Sequence, residues 1–123
     1  MDRIDEEYGR RTARGEEPRL RTAIARAELA MLQKVRETIP AATIFSFGAI
    51  DLFPGSLAFW VRVPTDAERD SLLKDQTAFD GWMRAILLES GYPEDSVGRV
   101  AFTAESDETV GREHGGNWWY AVK

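Results

Sequence analysis

TIFSFGAIDLF at residues 43–53, then Pro54-Gly55, then SLAFWVRV at residues 56–63, is the stretch whose reading decides the fold. Both runs are rich in aromatic and β-branched residues, which suit a pleated surface, and the Pro-Gly pair supplies turn chemistry between them. The pattern predicts a β-hairpin. Because side chains alternate along a strand, Leu57, Phe59, Val61 and Val63 point one way while Ala58, Trp60 and Arg62 point the other. The first face suits a core, whereas the second carries an indole and a guanidinium.

Upstream of the hairpin, Pro18 fits a first helical turn, and Leu20, Ile24, Ala27, Met31 and Val35 recur at three- and four-residue spacing. This predicts an amphipathic helix ending near Ile39, before Pro40, with Arg21, Arg26, Glu28, Lys34, Arg36 and Glu37 on its outer circumference. Downstream, Thr65 and Glu68 form a capping box, and Asp66, Glu68 and Asp70 complement the positive end of a helix dipole. Leu72, Gln76, Phe79, Met83, Ile86 and Leu87 continue at helical spacing. Asp75, Thr77 and Gly81 are weaker helix formers and predict an interruption near 75–80. Ser90-Gly91 with Pro93 just beyond marks the stop.

VGRVAFTAE at 97–105 alternates again, with Val100, Phe102 and Ala104 opposite Arg99, Ala101, Thr103 and Glu105. A helical turn starting at Ser106 and stopping at Gly115-Gly116 then leads to an expected last strand, NWWYAVK. The resulting order, α-β-β-α-β-β, predicts an α+β, two-layer sandwich: a four-stranded antiparallel sheet with two main helices on one face. As a topological analogy it resembles a circular permutation of the ferredoxin-like βαββαβ plan, which carries no function with it. Residues 1–17, dominated by Arg, Glu, Asp and Gly with Ile4 and Tyr8 as the large apolar groups, are expected to be a flexible N-terminal arm, and 18–123 a single domain. An alternative role for the arm is docking of Ile4, Tyr8 and Arg10-Arg11 on a partner subunit.

The 123 residues carry 16 basic and 21 acidic side chains, a formal net charge of −5. Residues 1–40 are close to neutral at +1, so the acidity lies in residues 41–123 at −6. Such a field repels polyanions, making nucleic acid a disfavoured partner and a basic protein a suitable one. The absence of cysteine excludes disulfides, thiolate metal sites and cysteine nucleophiles, and fits a cytoplasmic setting. Neither a signal peptide nor a membrane span is expected, because the opening residues lack an apolar run and none long enough follows.

The one histidine, His114, stands beside Glu113 and a few residues after Glu105, Asp107 and Glu108. A histidine near carboxylates can act as general base or metal ligand, but no metal-binding spacing accompanies it, and a solvated loop histidine is the simpler reading. No serine sits in a nucleophile elbow and the glycines form no phosphate-binding loop, so no catalytic residue, metal or cofactor is expected.

The tryptophans say more. In a strand, adjacent Trp118 and Trp119 must point to opposite faces. If Trp118, Tyr120 and Val122 face the helices, Trp119 joins Trp60, Arg62, Arg99, Thr103 and Glu105 on the open face, a candidate binding face. The competing expectation is that the arm or the 106–116 loop folds over these rings as a second minor core. A single-stranded RNA platform would also use sheet aromatics, but the acidic body argues against it. The expected function is a small, soluble, non-catalytic protein-binding domain, in one form a toxin-neutralising immunity-type protein. The alternatives are a homo-oligomeric module stacked through Trp60 and Trp119, or a small-ligand binder or enzyme with a cleft near His114.

Overall fold

A computed structural model of the chain describes residues 3–122, the side chains of residues 4 and 5 excepted; the expected docking role of Ile4 lies outside the described residues. Three strands form one sheet in the order β1-β2-β3: β1 is Thr43–Phe47, β2 Ala58–Val63 and β3 Ala101–Ser106. Seven helices surround them among the described residues: α1 (Arg3–Tyr8), α2 (Glu17–Arg36), α3 (Asp66–Leu73), α4 (Gln76–Glu89), α5 (Glu94–Val97), α6 (Asp107–His114) and α7 (Trp118–Val122).

The expected hairpin is present. β1 and β2 are antiparallel, from Thr43 opposite Arg62 to Phe47 opposite Ala58. Its loop is longer than the Pro-Gly pair alone implies, because residues 48–53 leave the sheet and Pro54–Ser56 form a 3₁₀ turn. Gly55 is required in that turn: a Cβ there would lie 2.2 Å from the Tyr8 carbonyl oxygen.

The expected four-stranded antiparallel sheet is corrected on two counts, and the permuted ferredoxin-like plan falls with it. β3 runs parallel to β2, with Trp60 beside Thr103 and Arg62 beside Glu105. The connection from β2 to β3 is a long helical path, α3 through α5, which carries the chain back to the end of the sheet where β2 began, as a parallel pair requires. In addition, residues 118–122 are helical. The Asn117 side-chain oxygen accepts a hydrogen bond from the Tyr120 N–H at 3.4 Å, after Gly115 and Gly116 have turned the chain at positive φ. That is a helix start rather than a strand start.

The core lies between the sheet and helices α2 and α4. Leu20, Ala23, Ala27, Met31 and Val35 of α2 and Phe79, Met83 and Leu87 of α4 are buried against Phe59, Val61, Val63, Phe102 and Ala104. The strand alternation is as expected, with the inward residues of β2 fully buried. Helix boundaries follow their caps. Thr65 and Glu68 complete the capping box of α3, Asp75 caps α4 at the expected interruption, and Ser106 caps α6, which stops at left-handed Gly115. No helix is long and apolar enough to cross a membrane.

Residues 9–16 lie along the domain. Thr12 donates its N–H to the Leu52 carbonyl at 2.7 Å and its hydroxyl to the Ile50 carbonyl. Glu16, buried, accepts two hydrogen bonds from Arg10, at 2.9 and 2.8 Å, and one from the Ala13 N–H at 2.8 Å. Arg10 also reaches Asp95 at 2.6 Å. Its guanidinium holds the Glu16 carboxyl down to about 2.

Candidate protein-binding groove

The open face of the sheet is built from the residues that point away from the helices: Phe45 and Phe47 on β1, Trp60 and Arg62 on β2, and Thr103 and Glu105 on β3. The β1 register sets Phe45 opposite Trp60, and their rings stack at 6.3 Å between centroids with planes 6° apart. Phe47 extends the row, 6.4 Å from Phe45. Offset stacking at this spacing is favourable beyond simple burial.

Helix α7 closes one side of the row. Trp118 meets Phe45 edge to face at 6.0 Å, and the Arg62 guanidinium lies 4.7 Å from the Trp118 ring centre. One oxygen of Asp107 accepts from both Arg62 Nε, at 2.8 Å, and Trp118 Nε1, at 3.1 Å. Arg62 is thereby fixed in place with a ring against it, a cation–π geometry. Between β1 and α7 lies an open groove of about 320 Å³ lined by Phe45, Phe47, Arg62, Trp118, Trp119 and Val122.

Trp60, Arg62, Thr103 and Glu105 therefore share one face, as their alternation implies. Trp119 reaches the groove as well, but from a helix, where it stands about 100° around the axis from Trp118 rather than on the opposite side of a strand. Trp118 does not join the helix-covered core. Arg99 is not part of the face: it precedes β3 and lies across Gly9 and Gly55, where a Cβ on Gly9 would come within 2.9 Å of its side chain. Glu105 turns to Arg69 of α3, at 2.6 Å, instead of to Arg62. Glu113 is exposed and His114 half-buried at the end of α6. Among the described residues no three acidic or histidine side chains converge as a metal site requires.

Phe45 and Phe47 are the groove residues sequence reasoning missed, whereas Trp118 and Val122, expected to face the helices, line the groove instead. The signal for the first two was available, since pairing the hairpin places both on the Trp60 face.

A second polar cluster ties the C-terminal ends of the parallel strands together. Asp66, in the first turn of α3, accepts from the hydroxyls of Ser106 and, at 2.6 Å, Thr109, and pairs with Arg112 at 3.2 Å. In return Glu108 of α6 accepts from the Asp66 N–H at 2.8 Å. These hydrogen bonds, that of Ser106 foremost, hold the Asp66 carboxyl down to about 2. Each helix thus supplies an acceptor to the start of the other, a structural task that consumes these acidic groups.

No family model matches this chain, and neither a curated protein nor a solved structure does. The functional reading therefore rests on the groove's own chemistry.

Proposed function

We propose that this chain is a non-catalytic protein-binding module whose contact surface is the aromatic groove between β1 and α7. One observation carries the reading: Phe47 and Trp119 remain 46% and 68% exposed while lining the same concavity. Covering a large apolar side chain is worth about 2 kcal/mol, so a partner seated here gains from both rings. Tryptophan and arginine are the side chains most often found at the energetic centre of protein interfaces, and the groove holds two of the first and one of the second.

The acidic balance of residues 41–123 favours a basic partner, and speeds its approach more than it tightens the complex. A toxin-neutralising immunity-type protein, masking a basic active site in the cytoplasm, is the concrete form of this reading. The test is covalent capture in extracts of the source cells, with the wild type, a Phe47→Ser/Trp119→Ser variant and a Leu29→Ser control compared. Leu29 is equally exposed, at 62%, but lies on α2. The reading expects a protein captured by the wild type and by Leu29→Ser and lost from the groove variant. Capture indifferent to the groove, or none above background, overturns it.

A further inference from the structure

The two helices that follow β3 are held differently. α6 buries Thr109 and Val110 and is capped by Ser106, whereas α7 has five residues, none of them buried. A helix that short does not persist in water without packing. Among the described residues α7 shares no backbone hydrogen bond with the sheet. Its Ala121 N–H donates to the Asn117 carbonyl at 3.3 Å, and the turn before it is tied back to α6, Gly116 N–H to the Val110 carbonyl and Asn117 N–H to the His114 carbonyl, each at 3.0 Å. Trp118 seats α7 on the sheet face, through the edge contact to Phe45, the Arg62 guanidinium and the Asp107 oxygen that Arg62 and Trp118 share.

The connection between the two helices permits movement. Gly115 and Gly116 stand in succession at φ 59° and 83°, and a Cβ on either would meet nothing within 4 Å. Packing does not call for glycine at these positions; the backbone does, and two such residues together leave the turn free to swing. We propose that α7 is a hinged flap, latched to the sheet by Trp118 at the shared Asp107 oxygen, whose swing about Gly115-Gly116 makes and unmakes the aromatic groove. Undocked, α7 carries Trp119 and Val122 away from Phe45 and Phe47, and the two walls of the groove separate.

The proposal rests on the groove reading and adds how that site is regulated. A partner that touches Phe47 on one wall and Trp119 on the other bridges sheet and flap and holds the flap shut. Only the docked form offers both walls, so affinity is reduced by the fraction of molecules that are docked, and a stronger latch tightens binding without touching the partner. Ring and cation contacts of this kind are individually modest, so the docked form exceeds the undocked by roughly tenfold to a hundredfold. The remainder of the domain, with Phe59, Val61 and Val63 buried beneath α2 and α4, stays folded when the flap opens.

Hydrogen exchange of the full chain, followed by NMR at the Trp118 indole N–H and the Ala121 amide beside the Phe59 and Val61 amides, tests it. In the wild type the flap positions are expected to be protected by roughly tenfold to a hundredfold and to ignore low urea, while Phe59 and Val61 exchange far more slowly and speed up as urea is added. Asp107→Ala removes the shared acceptor and is expected to bring Trp118 and Ala121 close to the unprotected rate. Phe59 and Val61 should remain protected in this variant, which also shows that it is folded. Asp107→Asn keeps an oxygen acceptor and is expected to lie between the two. Flap exchange as slow as that of β2, flap exchange that rises with urea in step with β2, or no acceleration in Asp107→Ala would each overturn the proposal. None of these readouts needs a partner, so their failure leaves the groove reading standing, and a failed capture leaves the flap in place.

Discussion

On the helix side of the sheet, Phe59, Val61 and Val63 are wholly buried beneath α2 and α4, while Trp60, between two of them in the same strand, is only half-buried in a row of rings on the other side. The helix side is close-packed from many directions and is where folding free energy accumulates. The opposite side is held by a few ring contacts and one shared carboxylate, and it leaves large apolar surface in water. Side chains that differ by one position along a strand thus serve different ends, one set specifying the fold and the other offering a surface.

The contrast is sharpest in core truncation. Phe59→Ala removes a fully buried ring that stacks on Phe102 at 5.7 Å, and should cost about 3–5 kcal/mol in urea unfolding. A loss near that of a surface change would mean that the helix side is loosely packed and the contrast false.

Next in size is the anchor of the N-terminal segment. Glu16→Gln weakens the pairing to Arg10 and should cost on the order of 2 kcal/mol. The same carboxylate makes stability depend on pH. Its folded value is depressed to about 2 from an ordinary 4.5, so its contribution is fully present above pH 4.5 and is lost as pH falls toward 2. Asp66, depressed to about 2 from 3.8, acts in the same direction over a narrower window. Acid titration of Glu16→Gln beside the wild type should therefore show a smaller loss of stability over this range.

Trp118→Ala probes the aromatic side itself. It removes the edge contact to Phe45 and the ring beside Arg62, for an expected cost of about 1–2 kcal/mol, well below that of Phe59→Ala. Equal costs for the two would make the open face a second core.

How far this was legible in the sequence follows from how local each signal is. Caps are local, and Thr65 with Glu68, Asp75, Ser106 and Gly115 sit at element ends in the structure. Alternation in Phe59–Val63 and Phe102–Ala104 is local too, and it divided inward from outward residues correctly. The direction of β3 is not local: it depends on where a crossover of more than thirty residues lands, and a connection of that length permits parallel pairing without dictating it. WWYAV is ambiguous in principle. Trp118, Tyr120 and Val122 satisfy a period of two, while Trp118 and Val122 equally satisfy a helical turn, and what separates the readings is the Gly-Gly-Asn start. Arg99 was assigned to the open face by extending an alternation beyond the strand that justified it.

The most direct test of the account is the urea midpoint of Phe47→Ser/Trp119→Ser measured beside Phe59→Ala and the wild type. If the groove is surface kept for a partner, the double variant should unfold within about 1 kcal/mol of the wild type while Phe59→Ala falls far below it. A double variant destabilised as much as Phe59→Ala would show that these rings hold the fold together, and would contradict the assignment of that face to binding.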